Sequence, residues 1–220
     1  MALIITKIEQ QNKNKKRYSL FSGDEFVIGV SDVTLIELDI HQGLRLSEKI
    51  LDQIKRKEKV AAIREQAWRY LARREHSIKE LSQKLARKNF TPALISFLIN
   101  DLKTKDYLND QRYARQLLND EINLKKNGPL LIKGNLLKKG IEINLTNELL
   151  DELYTENKQR ENCDCLAGKK LKSLEKLEPE LQKKRLVSFL TRKGFTWETI
   201  SRIISDFDLN HRDESLQSEI

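Results

Sequence analysis

The chain of 220 residues carries 41 Lys and Arg against 33 Asp and Glu, a formal charge of +8, with 39% hydrophobic and 34% charged residues, eight Gly and three Pro. That composition disfavours an all-β sandwich, a collagen-like repeat and Pro-rich disorder, and it suits helices with solvated faces. No apolar run approaches the ~20 residues of a membrane span, Met1-Ala2-Leu3-Ile4-Ile5 is too short for the apolar region of a signal peptide, and two cysteines, Cys163 and Cys165, are too few for a disulfide framework and fit a reducing cytoplasm.

The first residues are rich in β-branched and aromatic side chains. Ile4–Glu9, Arg17–Phe21 and Asp24–Val30 read as three short strands, with Phe26, Ile28 and Val30 alternating with Val27 and Gly29. Ser22-Gly23-Asp24 supports a hairpin between the last two. A small three-stranded antiparallel sheet follows, marginal alone and expected to pack on the next helix. Ser31-Asp32 caps a short helix that ends near His41-Gln42-Gly43. Ser47-Glu48 opens a long helical pattern reaching Leu71, with a break near Lys57–Lys59.

From there the chain repeats itself. Leu81–Leu102 aligns without gaps on Leu186–Phe207 with ten of 22 positions identical, and Ile132–Leu153 is a weaker middle copy. Ser77-Ile78-Lys79-Glu80 is a capping box. Asn89, Gly140 and Gly194 occupy one left-handed helix stop. Pro92, Pro129 and Pro179 sit at helix starts. Each copy supplies two helices after a preceding one, about Val60–Arg74, Asp110–Lys126 and Tyr154–Leu174. The expected fold is mainly α: three tandem three-helix, helix-turn-helix-like repeats in a curved array after the small β element. The boundaries are 1–46 for the β-rich element, 47–109, 110–153 and 154–209 for the repeats, and 210–220 for a frayed tail.

Catalytic chemistry finds no residues. No Gly-rich phosphate loop or dinucleotide fingerprint is present, and His41, His76 and His211 lie apart from one another and from the Cys163-Asp164-Cys165 pair. No cofactor, metal site or catalytic residue is expected. Basic residues are the informative chemistry. Residues 61–110 hold 10 basic and 6 acidic side chains, a local +4. Each middle helix ends in a doublet, Arg87-Lys88, Lys138-Lys139 and Arg192-Lys193. Arg69, Arg73, Arg74, Lys79 and Lys84 cluster before the first, and Lys125-Lys126 lie before the second. Cations in a last helical turn complement the helix dipole, and the same side chains can meet a phosphate. Repeated along an array, they form a basic stripe suited to a nucleic-acid backbone or an acidic protein groove. Pro92–Lys103 is too apolar to read base edges in a major groove. Trp68, Tyr70, Phe90, Phe97, Tyr107 and Tyr113 fall at core spacing.

The stretch Ala67-Trp68-Arg69-Tyr70-Leu71-Ala72-Arg73-Arg74-Glu75-His76-Ser77-Ile78-Lys79-Glu80-Leu81, followed by Leu85-Ala86-Arg87-Lys88-Asn89-Phe90, resembles the first repeat of RecX proteins. Tyr107–Ala114 looks like the link into the family's second repeat, and Gly128–Gly140 and Lys193-Gly194-Phe195 fit the later ones. Ile4–Ile8, Arg17-Tyr18, Thr34-Leu35 and Gly43-Leu44 resemble the extended form of low-GC Gram-positive bacteria. The resemblance implies a cytoplasmic regulator without catalysis. It would bind RecA filaments on single-stranded DNA, block their extension, favour disassembly, and lower recombinase, ATPase and coprotease activities; a monomer is expected, though the sequence leaves the oligomeric state open. Asn89 departs from the family's usual Gly. A general DNA-binding module acting without RecA, and an adaptor that binds only protein, are the other readings the residues leave open.

Overall fold

The structure, a computed structural model, describes residues 3–205, so the expected frayed tail lies outside the described residues. The chain divides into two compact units. The first holds the residues up to Arg74 together with Leu81–Thr104. The second holds Glu75–Glu80 and the chain from Lys105 onward.

In the first unit, β1 (Leu3–Ile4), β2 (Lys7–Gln10), β3 (Arg17–Ser22) and β4 (Glu25–Ser31) precede the helix α1 (Asp32–Glu37), then β5 (Arg45–Leu46) and α2 (Glu48–Leu71). The expected three-stranded antiparallel sheet is present in the order β2-β3-β4. Gly23, with φ +62°, turns the β3–β4 hairpin. The expected first strand is in fact two. Leu3 and Ile4 pair with Leu46 and Arg45 in a separate ladder, while Lys7–Gln10 pair with Tyr18–Phe21. A bulge also alters the alternation read from β4. Leu20 faces Ile28 but Phe21 faces Phe26, so Phe26 leaves the core-facing set and is 59% exposed, edge-on to Phe21. The core beneath the strands holds Ile5, Leu20, Val30, Ile40, Leu46 and Ile54. α1 stops at Glu37, short of His41, because Asp39 takes φ +47°.

α2 runs unbroken for 24 residues, without the expected interruption at Lys57–Lys59. That charged run is where the helix grips the strands. Glu58 Oε1 accepts from the Ser31 amide at 2.8 Å and the Ser31 hydroxyl at 3.0 Å. Its Oε2 lies 3.1 Å from Arg17 Nη2 without hydrogen-bond alignment, so Arg17 contributes charge rather than a directed bond. Lys57 donates to Glu37. Burial pushes the Glu58 carboxyl up, but the bonds from Ser31 and Thr34 and the Arg17 charge outweigh it and hold the carboxyl below its ordinary range.

Three-helix repeats follow: the second half of α2 with α3 (Ile78–Ala86) and α4 (Pro92–Thr104); α5 (Asp110–Asn123), α6 (Pro129–Lys138) and α7 (Ile143–Leu153); and α8 (Glu156–Lys172), α9 (Pro179–Arg192) and α10, residues 197–205. No strand follows β5 among the described residues. The aligned positions behave alike. Leu81, Ile132 and Leu186 are each fully buried, as are Leu85, Leu136 and Leu190. Asn89, Gly140 and Gly194 have φ of +61°, +86° and +83°. α5 ends at Asn123, before the expected Lys126, which itself adopts φ +54°.

Within the second unit one junction is used twice. The start of a middle helix docks on the left-handed stop of the next repeat. Ser77, whose hydroxyl caps α3 by accepting from Glu80 N–H at 3.1 Å, donates that hydroxyl to the Lys139 carbonyl at 2.6 Å. Its counterpart Gly128 donates its amide to the Lys193 carbonyl at 2.7 Å, and the Leu130 amide reaches the Gly194 carbonyl at 3.0 Å. A Cβ on Gly194 would stand 2.3 Å from Leu131 N, and one on Gly140 2.6 Å from Lys79 Cβ. In the third repeat α9 begins at Pro179, so Gln182, the counterpart of Ser77 and Gly128, lies inside the helix and donates to the Leu177 carbonyl at 2.7 Å.

Two outcomes follow. Glu58→Ala should lower stability by about 1.5–3 kcal/mol at neutral pH, because it strips a charged acceptor from the Ser31 amide. A lowered carboxyl pKa stabilises above the unfolded value and is lost as pH falls through the folded one. The gap in thermal midpoint between wild type and Glu58→Gln should therefore close as pH drops below about 4. Gly194→Ala should cost about 2–5 kcal/mol from left-handed strain plus overpacking. Gly134→Ala, in the interior of α6 with nothing within 4 Å of the new Cβ, should gain about 0.5–1 kcal/mol. Urea melts of both glycine variants check this pair.

Candidate polyanion-binding surface

The thirteen basic residues singled out from sequence divide into two groups. Several are tied into the fold. Arg69 pairs with Glu65 at 2.5 Å along α2. Lys84 Nζ lies 5.2 Å from the centre of the Tyr70 ring, which sets the end of α3 beside the last turn of α2. Lys125 pairs at 2.7 Å with Glu121, a carboxylate that is only 3% exposed. Lys126 reaches Asn162 Oδ1 at 3.4 Å. Lys139 lies 3.5 Å from Glu80, and Lys193 donates to Asn127 Oδ1 at 3.1 Å. The stem of Lys79 lies over Gly140 while its residue as a whole stays exposed.

The others, Arg73, Arg74, Arg87, Lys88, Lys138 and Arg192, are all exposed, though Arg192 donates to Ser188 Oγ at 3.4 Å within its helix and Arg74 has a contact of its own. Arg87, Lys138 and Arg192 are the first members of the three doublets and occupy one aligned position. The helix stop explains them locally, since a cation in the last turn faces the partial negative charge of the last carbonyls. Arg73 and Arg74 follow directly on the last turn of α2, the turn that the Tyr70–Lys84 contact sets beside the end of α3. The structure also gathers Lys125, Lys126 and Lys193 around one buried network. Glu121 accepts from Asn127 at 2.6 Å and Asn135 at 3.2 Å. Tyr154 OH donates to the Asn127 carbonyl at 2.9 Å, and Asn162 donates to the Ile122 carbonyl at 2.9 Å. Burial pushes the Glu121 carboxyl up, yet Lys125 and the two amides hold it below its ordinary range. Lys125 and Lys126 therefore order the turn that carries them, and Lys193 reaches that turn from the stop of α9 through Asn127.

Sequence reasoning passed over Lys169, Lys172, Lys184 and Arg185, all exposed on α8 and α9. Their runs were visible, but they lie in a stretch whose acids cancel them. It also placed too many aromatics in the core. Tyr113 is buried at 6%, whereas Trp68, Phe97 and Tyr107 are 44%, 53% and 50% exposed. Helical spacing gives a face, and Trp68 and Phe97 sit away from its buried side on α2 and α4, while Tyr107 lies in the turn between α4 and α5. α4 buries Ile95, Leu98, Ile99 and Leu102, as its composition predicts.

Burial, with the Asp164 charge, pushes the Cys163 thiol up to about 12, far from thiolate reactivity. No group of His, Cys, Asp and Glu suited to a metal ion occurs among the described residues. No described helix is long and apolar enough to cross a membrane.

Four family models match in order along the chain: the regulatory protein RecX N-terminal domain over residues 3–47, and the first, second and third RecX three-helix domains over 64–102, 109–150 and 159–204. Regulatory protein RecX of Bacillus cereus (strain AH820) is 32% identical over 221 aligned residues, which cover 99% of this chain and 82% of the relative. The crystal structure of RecX from Lactobacillus salivarius superposes with a TM-score of 0.61 at 31% identity, covering 70% of this chain and 99% of that one. A second crystal structure, of regulatory protein RecX, shares the fold with a TM-score of 0.72 over 93% of this chain, at 23% identity.

Glu121→Ala should cost about 1–3 kcal/mol, since it removes the acceptor of two largely buried amides, and a thermal melt reads it. The charge of Lys125 stays solvated in that variant, so repulsion adds little.

Proposed function

The chain belongs to the RecX family, and from that membership and the geometry above we propose that it is a non-catalytic regulator of RecA. It binds RecA filaments on single-stranded DNA, blocks their extension and promotes disassembly, and so lowers recombinase, ATPase and coprotease activities. The observation that carries this reading is the ordered run of all four family domains from residue 3 to residue 204. Small helical units repeated in tandem along the chain offer several weak contacts. Against a partner that is itself periodic, such contacts reinforce one another through effective concentration.

Three features support the chemistry. Six exposed cations from the predicted set supply contact without a preformed pocket. The apolar, half-buried α4 is not equipped to read base edges in a major groove, which favours contact with the nucleic-acid backbone. The absence of a phosphate loop from the sequence supports regulation by binding alone.

The test is RecA's single-stranded-DNA-dependent ATP hydrolysis and filament length, with and without this protein. Falling hydrolysis and shorter filaments are expected at concentrations near that of RecA. Undiminished hydrolysis together with binding to bare DNA would assign the chain instead to a general DNA-binding role.

A further inference from the structure

In the second and third repeats the helix stop is covered. The Lys139 carbonyl takes the Ser77 hydroxyl and the Lys193 carbonyl takes the Gly128 amide. The residue after each must be Gly, because a Cβ would meet the incoming helix at 2.6 Å or less. The first repeat differs at this one place. It carries Asn89 with the same left-handed φ, and residues 86–89 are all exposed. The backbone twist is kept, but a side chain is tolerated, so the glycine requirement at this stop comes from the neighbouring repeat and is missing here.

We infer that the uncovered turn Arg87-Lys88-Asn89 is a phosphate-binding element for single-stranded nucleic acid. The corresponding Lys139 and Lys193 are positioning residues that hold the repeats together. The inference rests on the proposed function for the presence of DNA at this surface. Two full charges outweigh the roughly half negative charge at the end of α3, so an anion is attracted there. The Asn89 amide adds a neutral donor beside them. A phosphodiester backbone fits this turn better than an acidic protein. The turn itself presents two cations and an amide, and no large apolar side chain is exposed within residues 69–96, although Trp68 and Phe97 on either side are; a protein interface needs an apolar core inside its polar rim.

The experiment titrates the full chain against fluorescent oligo-dT at several salt concentrations, with melting curves and RecA ATPase assays alongside. Each phosphate contact on a single strand contributes about 0.7 to the slope of log K against log salt. Arg87→Ala with Lys88→Ala should lower the slope by about 1.4 and the affinity at 0.1 M salt about 25-fold, with the melting midpoint kept. Lys139→Ala with Lys193→Ala should lower the midpoint and leave the slope unchanged. Equal slopes for wild type and the Arg87/Lys88 variant, or an equal loss from the Lys139/Lys193 variant, would overturn the assignment. So would a variant at Arg87 and Lys88 that loses RecA inhibition while binding oligo-dT normally, which would point to an acidic protein surface. Normal RecA inhibition by a wild-type chain that does not bind oligo-dT defeats this inference and leaves the proposed function standing. Salt-dependent binding as described, with RecA unaffected, defeats the proposed function and leaves this turn's role intact.

Discussion

Where α6 begins, the Gly128 amide meets the Lys193 carbonyl at 2.7 Å, and a Cβ on Gly128 would stand 2.3 Å from the Gly194 carbonyl carbon. Two main chains touch there with no side chain between them. A three-helix unit of this size buries too little apolar surface to be secure alone. Docking one unit's helix start on the next unit's helix stop satisfies polar groups that every helix leaves open at its ends. The same contact closes the Ser77–Lys139 junction through a hydroxyl instead of an amide. Both junctions place a lysine at the stop, its carbonyl bonded to the incoming helix start and its side chain against Glu80 or Asn127.

The β element is held by a different device. Glu58 projects from the middle of α2 and receives the first donors of the chain leaving β4. A carboxylate with several donors is strong only while it stays ionised. The attachment of the strands is therefore electrostatic at its rim and apolar beneath, where Ile54 of α2 completes the core with Ile5, Leu20 and Val30. The helical repeats rely instead on close approach and apolar burial, with the buried carboxylate of Glu121 compensated on three sides.

The helical half was legible because its signals are local and redundant. Leu81, Leu85 and their counterparts recur at core spacing, prolines open helices, and Asn89, Gly140 and Gly194 close them, so periodicity, capping and repetition agree. The three-stranded sheet was legible, but the division of its first strand into β1 and β2 was not. β5 has two residues and no period of its own, and the bulge opposite Phe21 is set by pairing, which no single strand encodes. The charged run at Lys57–Lys59 looked like an interruption because its partners, Ser31, Arg17 and Glu37, lie about 20 to 40 residues away in sequence. Among the basic residues, sequence located the doublets but could not separate the exposed member from the member bound to a neighbouring repeat. The one visible signal was the substitution of Asn for Gly at residue 89.

The early start of α9 bears on how many repeats such a chain can hold. At Ser77 and Gly128 a helix begins with its cap free to dock on the repeat that follows. At Gln182 the same position is already one turn inside a helix, and its side chain is occupied with the Leu177 carbonyl. The third repeat thus accepts a neighbour on one side and offers no plug on the other, while Asn89 places a side chain over the socket of the first. Of the three repeats, only the middle one carries both halves of the junction: Gly128 as plug toward the third repeat and Gly140 as socket for the first. A repeat inserted beside it and copied from it would meet a matching partner on each side.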